Sequence, residues 1–338
     1  MGKYQQSKQI VRAYYEALER CAPDAVGEVL AQYMSSDYTW RGSYPFREMT
    51  GAMEVAERFW KPLKHALTHM QRRMDIFIGG CNEFHPEEQW VMSMGHFMGL
   101  FDQEFLGIRP TYKMVSLRYA EFACVQDGRI TKTGLFLDLI GMMHQAGAYP
   151  LPPMTGQYFV YPGPRTHDGL LFEDAPEAEG VKTLAVVNQM VADLDALNRS
   201  GSMEPPTAED LGHSWAEDMI WYGPCGIGAT YTIPRYIIQH TGPFRKHLTD
   251  KVFNGHVVRF AEGKFACFFG WPNLSNRNSG GYLGLPAGQS ADMMVVDVYC
   301  RQGDKLSENW VLIDLPWWLK QQGLDVFERT ASILNPKF

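Results

Sequence analysis

The feature that most constrains the fold of this 338-residue chain is an internal repeat with a constant spacing of 176 residues. Asp314 repeats Asp138, and Asp297 stands where the earlier copy has Glu121. The same spacing pairs a leucine, a glutamine and a glycine: Leu139 with Leu315, Gln145 with Gln321 and Gly147 with Gly323. Chance is a poor explanation for five matching positions without a gap. The sequence therefore predicts a tandem duplication.

Each copy has helical patterns first and strand patterns afterwards. The predicted helices include 53–70, 181–197, 210–218 and 233–248, each with apolar residues at helical spacing. The predicted strands are 74–78, 89–98, 113–125 and 129–137 in the first copy, and 255–260, 265–271, 293–300 and 305–313 in the second. Strands that follow one another after helices indicate an α+β class rather than a βαβ fold.

The domain boundaries follow from composition. Residues 151–180 are rich in Pro and Gly and then acidic, without a hydrophobic period, which is typical of a linker. We therefore expect one domain over 1–150 and a second over 181–338. A 45% share of hydrophobic residues is enough for each half to bury its own core.

Charge and cysteine usage limit the function classes. The formal charge of −7 and the lack of a Lys/Arg run argue against a nucleic-acid surface. The first residues have no apolar leader segment, and no apolar run is long enough for a membrane span. The six cysteines are scattered and form no CxxC pair, which is typical of reduced core residues. These observations predict a cytoplasmic protein.

A curved antiparallel sheet with helices on one face encloses an apolar pocket with a few polar groups, the usual form of a small-molecule site. Eight aromatic residues are candidates to line such pockets: Trp40, Trp60, Trp221, Tyr222, Trp271, Trp310, Trp317 and Trp318. Any one of them could equally be a core residue. As a set, with aspartates at matching positions, they favour a lined cavity.

Asp138 and Asp314 are the first candidates for an acid/base role, because each ends an apolar strand where a carboxylate is expected to be buried. The alternative is that each caps the short helix that follows, as Asp does at a helix start. Glu121 and Asp297 lie on the preceding strands and could either couple to these aspartates or face solvent.

Other known site patterns are missing from the sequence. It has no GxSxG, HExxH, P-loop or GxGxxG segment. His240, His247 and His256 are unevenly spaced, so a metal site is the less favoured interpretation and we expect none. His256, within GHVVRF, is interpreted as a sheet residue that could reach the second pocket.

Several segments resemble the SnoaL-like polyketide cyclases, within the cone-shaped nuclear-transport-factor-2-like superfamily. In the second half, Glu308, Trp310 and Asp314 are similar to the E-x-W-x-x-x-D ending of these cyclases. In the first half, Gly95-His96 and the segment 107–111, GIRPT, are similar to their G-x-H and G-I-P-P-T segments. The resemblance covers both halves, but neither half has the full set. It implies two tandem cone-shaped α+β domains.

The resemblance also implies a reaction. It is a cofactor-free aldol ring closure on a small hydrophobic carbonyl compound, with Asp314, Asp138 and His96 as the catalytic groups. Trp310, Trp271 and the other pocket residues, together with Asp297, Glu121 and His256, would bind the substrate. Single domains of this family commonly pair through their sheets, so the resemblance further implies an intrachain pseudo-dimer, with a homo-oligomer as a further option. The alternatives are a non-catalytic binding protein on the same fold, or a dehydratase or epoxide hydrolase that uses the same carboxylates.

Overall fold

The computed structural model describes residues 2–334, which divide into two compact units. Unit 1 contains the chain up to Pro150, the segment Pro162–Asp174 and the C-terminal segment from Val326. Unit 2 contains Leu151–Tyr161 and Ala175–Asp325. The segment expected to be a linker thus contributes residues to both units. The intrachain pseudo-dimer stays a prediction.

Unit 1 begins with two helices, continues with strands that are interrupted by a third helical segment, and closes with a short helix. Its helices are α1 (Gln5–Arg20), α2 (Val26–Tyr33), α3 (Ala52–Val55), α4 (Lys61–Ala66), α5 (Leu139–Gln145) and, from the chain end, α11 (Val326–Leu334). Its strands are β1 (Met34–Gly42), β2 (Arg47–Thr50), β3 (Leu67–Cys81), β4 (Gln89–Phe101), β5 (Lys113–Gln126) and β6 (Arg129–Leu137).

Unit 2 repeats this order, except that the counterpart of β3 is divided into two strands. Its helices are α6 (Glu177–Arg199), α7 (Ala208–Gly212), α8 (Ile233–Tyr236), α9 (Gly242–His247) and α10 (Leu315–Gln321). Its strands are β7 (Trp215–Tyr222), β8 (Ala229–Tyr231), β9 (Leu248–Phe253), β10 (Val258–Glu262), β11 (Phe265–Asn278), β12 (Ser290–Gln302) and β13 (Lys305–Ile313).

The two sheets have the same strand order. Unit 1 runs β2-β1-β6-β5-β4-β3, and unit 2 runs β8-β7-β13-β12-β11, with both β10 and β9 paired to β11. The register agrees as well, since Trp40 pairs with Thr133 and Trp221 pairs with Asn309, which is Thr133 shifted by 176 residues. The predicted tandem duplication and α+β fold are confirmed.

The same local packing supports both copies. A Cβ on Gly42 would lie 1.9 Å from the Trp40 ring, and one on Gly223 would lie 2.0 Å from the Trp221 ring. Only glycine therefore allows the indole to fold back over its own strand. In each unit the third helix contains a π-helical turn, Ala56–Trp60 in unit 1 and Ile237–Thr241 in unit 2. Such turns occur often near functional sites.

Two helix predictions extend too far. The helix predicted over 53–70 ends at Ala66, and residues 67–70 begin β3. The helix predicted over 210–218 ends at Gly212, and residues 215–218 begin β7. In the second case a capping box between Thr207 and Asp210 starts the helix earlier than predicted. Both errors lie at helix-to-strand joints, where apolar residues of either element look alike in sequence.

Asp138 and Asp314 occupy the same structural position. Each is the residue between the last strand of its unit and the short helix, α5 or α10. The Asp138 carboxylate accepts a hydrogen bond from the Gly141 amide at 3.0 Å, and Asp314 accepts one from the Trp317 amide at 3.3 Å. Both side chains are buried N-caps. Among residues 2–334, none of the helices combines the length and apolar character needed to cross a membrane.

Candidate functional site

Unit 2 encloses a cavity of about 190 Å³ between its sheet and its helices. Alternate residues of two neighbouring strands face it, which is the period-2 pattern of one sheet face. These are Met293, Val295, Asp297 and Tyr299 on β12 and Asn309, Val311 and Ile313 on β13. The helices and remaining strands add mainly apolar and aromatic side chains: Met190, Val191, Leu194, Trp215, Trp221, Tyr236, His240, Phe244, Phe253 and Phe268. His256 also lines the cavity, but it lies in the loop between β9 and β10 and not on a strand as predicted.

Asp297 is the acidic group at the centre of the sheet face of this cavity. It pairs with Phe268 on β11 on one side and with Val311 on β13 on the other. Its Oδ1 accepts hydrogen bonds from the Tyr299 hydroxyl at 3.0 Å and from the Asn309 amide nitrogen at 3.1 Å. Within the described chain, Oδ2 accepts no hydrogen bond. One carboxylate oxygen is therefore anchored, and the other is available to a bound molecule.

Burial raises the pKa of Asp297 to about 6, although the hydrogen bonds from Asn309 and Tyr299 act in the opposite direction. Loss of hydration disfavours the charged form of a carboxylate, and no cation of residues 2–334 lies close enough to offset that cost. Near neutral pH this group can both accept a proton and return it, because its pKa lies near the working range of a general acid/base.

Two histidines border the same cavity as neutral rings. His240 stacks on Trp221 with ring centroids 3.9 Å apart, and burial lowers its pKa to about 3. Its Nδ1 has no hydrogen-bond partner within residues 2–334. His256 stacks on Phe268 at 3.8 Å, and burial together with the charge of Arg259 lowers its pKa to about 3. The site therefore combines the Asp297 carboxylate with two neutral histidine rings and aromatic walls, and the charged residues Asp195 and Arg245 also line the cavity.

The interior of unit 1 is filled at the corresponding place. Glu121 forms an ion pair with Arg72, with Nη1 and Oε2 2.7 Å apart and both side chains at most 5% exposed. The guanidinium lies over the Tyr15 ring at 3.6 Å from its centroid and beside the rings of Phe97 and Tyr119. Arginine is suited to such stacked, buried pairing. A carboxylate held in this way is not available to a ligand.

Only some of the residues that were predicted to form the sites line the cavity of unit 2. Trp221, Asp297 and His256 come together at the cavity of unit 2. Asp314 does not line that cavity and caps α10 instead. Trp310 stacks on Tyr222 at 5.5 Å on the opposite face of the sheet, because Asn309 and Val311 on either side of it face the cavity.

The other predicted residues lie away from that cavity. Trp40 and Trp60 are buried in the core of unit 1, where Phe59 packs against both. Trp271 is half-buried on β11 and is not part of the cavity wall. His96 Nδ1 lies 3.3 Å from an oxygen of Asp75, on the face of β4 opposite to Phe97.

Several groups that define the site were not among the residues predicted to form a pocket. Tyr299 and Asn309 hold Asp297, and His240 lines the cavity, but none of these residues belongs to a recognisable motif. The predicted β12–β13 hairpin contains a usable signal, because Asn309 lies directly across from Tyr299, two residues after Asp297. No group of His, Cys, Asp or Glu suited to hold a metal ion occurs within residues 2–334.

Comparison with known proteins finds a family model that matches the first half of the chain. Residues 8–146 match the family model of the SnoaL-like polyketide cyclases. The second half of the chain repeats the strand order of the first. A search of curated proteins finds no match.

Solved structures of single-domain proteins are similar to parts of this chain. One is IdmH from Streptomyces antibioticus, a proposed polyketide cyclase, with 17% identity over 41% of this chain and 96% of its own, and a TM-score of 0.34. Another is a proposed polyketide cyclase from Xanthomonas campestris pv. campestris, with 19% identity over 43% of this chain and 99% of its own, and a TM-score of 0.34. A third, from Jannaschia sp. CCS1, is 19% identical over 44% of this chain and 94% of its own, with a TM-score of 0.33.

Proposed function

We propose that unit 2 is a cofactor-independent lyase or isomerase that acts on a small hydrophobic carbonyl compound, with Asp297 as its acid/base group. The observation that carries this proposal is the arrangement of Asp297. One oxygen is fixed by Tyr299 and Asn309, the other faces an aromatic cavity, and the pKa is raised to about 6. This assignment differs from the prediction from the sequence, in which Asp138 and Asp314 are the first acid/base candidates, since each of these two residues caps a helix.

The reaction begins when the Asp297 carboxylate removes a proton from a carbon next to a carbonyl group. The C–H electron pair forms a C=C bond, and the carbonyl electron pair moves to oxygen, which gives an enolate. The enolate carbon then attacks a second carbonyl of the same molecule, and Asp297 returns its proton to the new alkoxide. The sum is an aldol ring closure without loss or gain of atoms, and it needs only a positioned acid/base and a shaped, dry cavity.

The size of the cavity limits the substrate. An engineered protein cavity of about 150 Å³ accommodates benzene. A cavity of about 190 Å³ therefore suits a molecule with a single ring and a few substituents, or its open-chain precursor. Its walls include Trp221, Phe253 and Phe268, which favour an apolar ring over a charged or sugar-like ligand.

The family match supports the proposed class of reaction, and the free thiols support the proposed cellular compartment. The matched family model is that of the SnoaL-like polyketide cyclases, the family whose resemblance implies an aldol ring closure. All six cysteines are free thiols, which supports action in a reducing compartment such as the cytoplasm.

The test is the conversion of heptane-2,6-dione into 3-hydroxy-3-methylcyclohexanone, followed by NMR, with the unmodified chain and with Asp297→Asn. The amide oxygen of the introduced side chain can still accept the hydrogen bonds of Tyr299 and Asn309, so the pocket keeps its geometry while the base is lost. We expect the turnover rate to fall by roughly 10²–10⁴.

The matched control is Asp314→Asn, which removes the other aspartate of unit 2 and keeps a competent N-cap. We expect turnover close to that of the unmodified chain. A large loss in Asp314→Asn with little change in Asp297→Asn would transfer the role to Asp314, as the sequence resemblance implies. Tight binding of the dione without any turnover would leave the non-catalytic binding protein, and turnover only of a hydroxyketone or an epoxide would favour the dehydratase or hydrolase alternative.

A further inference from the structure

The contacts of His256 fix which of its two ring nitrogens carries the proton. The acid/base role proposed for Asp297 does not involve this ring. Arg259 donates to the His256 Nδ1 from Nε at 3.1 Å and approaches the same atom from Nη2 at 2.8 Å. A guanidinium has only donors, so Nδ1 must present its lone pair and act as an acceptor. The neutral ring therefore carries its proton on Nε2.

The arginine that sets this pattern is itself held in place. Arg259 is 8% exposed on β10, and its Nη1 donates to the Asn188 side-chain oxygen on α6 at 2.6 Å. The guanidinium charge also lowers the pKa of His256, which adds to the effect of burial. Protonation of His256 would place a second cation directly against the first one, so the ring stays neutral and its Nε2–H stays a donor.

The position of the ring is set by a direct chain of contacts to Asp297. His256 stacks on Phe268 with a centroid distance of 3.8 Å and an interplanar angle of 16°. Phe268 is the residue directly opposite Asp297 in the β11–β12 pair, and directly opposite side chains lie about 5 Å apart at Cβ. All three side chains border the same cavity. A molecule that contacts Asp297 is therefore also adjacent to His256.

We propose that His256 is a second catalytic residue of unit 2, which donates its Nε2–H to the substrate carbonyl oxygen while Asp297 removes the neighbouring proton. Arg259 and Asn188 are positioning residues that act through the ring. This proposal rests on the proposed function of Asp297.

In this step, the C–H bond breaks and an O–H bond forms on Asp297. The carbonyl π electrons move to oxygen, and the negative charge there is stabilised by the hydrogen bond from Nε2–H. The imidazole proton stays on nitrogen throughout. A donor aimed at the atom where charge develops lowers the barrier without any reorganisation, and removal of one such donor costs about 10²–10³ in kcat.

A spectroscopic experiment tests the protonation pattern without any substrate. Side-chain ¹⁵N NMR of the full chain should show His256 as a single neutral Nε2–H tautomer across the range from about pH 5 to about pH 8. In Arg259→Met, which keeps the stem and loses the donors, we expect a mixture of tautomers and a His256 pKa closer to its ordinary value. Arg259→Lys, with charge and one donor retained, should restore most of the single tautomer. A His256 ring protonated on Nδ1 in the unmodified chain would overturn the proposal.

A kinetic experiment tests the role in catalysis, with the same dione as probe. We expect His256→Ala to lower kcat by about 10²–10³ with little change in KM, because the donor acts on charge that develops in the transition state. Arg259→Met should give a smaller loss, and Arg259→Lys should recover most of it. The control is His213→Gln, a histidine of unit 2 outside the cavity wall.

The role of His256 and the role of Asp297 can be refuted separately. Unchanged kcat in His256→Ala, with the expected loss in Asp297→Asn, would overturn the role of His256 and leave that of Asp297 intact. If the unmodified chain converts none of the dione, both roles fail together. Circular dichroism of each variant confirms that a loss of kcat is not a loss of fold.

Discussion

Units 1 and 2 place a carboxylate at the same point of the same sheet and surround it differently. In unit 1, Glu121 is paired with Arg72 at 2.7 Å and is 1% exposed. In unit 2, Asp297 has two neutral donors, Tyr299 and Asn309, and one oxygen directed at a cavity. The duplicated position thus holds a carboxylate in both units, in two different surroundings. The difference is whether a cation is built in beside the acid.

The residues that surround the carboxylate also differ between the two units. Tyr15 lies on the first helix of unit 1, and Val191 lies on the first helix of unit 2. The Tyr15 ring covers the Arg72 guanidinium, whereas the smaller Val191 is part of the cavity wall. A large ring and an arginine together fill the space that an aliphatic side chain leaves open. Unit 1 therefore has a buried ion pair beside its carboxylate, whereas unit 2 has an open cavity there.

The largest expected effect comes from removal of the cation in unit 1. Arg72→Met leaves the Glu121 carboxylate buried without its partner, and breaking a buried pair in this way costs about 3–5 kcal/mol. Hydrogen exchange of the β4 and β5 amides measures the loss of stability within unit 1. The double variant Arg72→Met/Glu121→Leu should recover most of it, because an apolar pair of similar volume needs no hydration. Equal loss in the single and double variants would show that Arg72 acts by packing alone.

The next effect concerns the pH dependence of activity, which should reflect the uncompensated acid in unit 2. The base form of Asp297 requires loss of its proton, and its pKa is raised to about 6. Below that pH, kcat/KM should fall about tenfold per pH unit, and above it kcat/KM should level off. A pH–rate profile of the dione reaction measures this. A plateau that extends down to about pH 4, the ordinary range of Asp, would mean that the base lies elsewhere.

The smallest effect concerns the two capping aspartates, where the units are alike. Asp138→Ala and Asp314→Ala should each lower the free energy of unfolding by about 0.5–2 kcal/mol, since each removes a helix N-cap. The Asn variants should have almost no effect, because Asn caps equally well. Denaturant titration measures both pairs. A loss in Asp314→Asn that is much larger than in Asp138→Asn would reveal a second role for Asp314.

Much of the fold could be predicted from patterns in the sequence. The 176-residue spacing identifies the duplication, and the strands 129–137 and 305–313 have the bounds that the alternation of apolar residues predicts. The helix ends at Ala66 and Gly212 were harder to locate. At the first, Leu63, Ala66, Leu67 and Met70 keep helical spacing into the strand without a Gly or Pro between them. At the second, a single Gly is the only break, so periodicity alone gives no firm boundary.

The site was only partly predictable, because its character depends on contacts between distant residues. Glu121 and Asp297 are recognisable as a pair in the sequence, but Arg72 reaches Glu121 across 49 positions of the chain. Within its polar segment, HMQRRM, it looks like a solvated strand residue. Asp138 and Asp314 were predicted as site residues because a buried acid is costly. A hydrogen bond from a backbone amide already offsets that cost in each case.

The ion pair in unit 1 has a consequence for how this chain can change over generations. A single substitution of Arg72 or of Glu121 leaves a lone charge in a closed interior, so each step by itself is selected against. The two positions are therefore free to vary only together, as an epistatic pair. An open pocket at this place in unit 1 requires two simultaneous changes, whereas unit 2 can exchange wall residues one at a time. New ligand specificities of this protein should therefore arise in its second half.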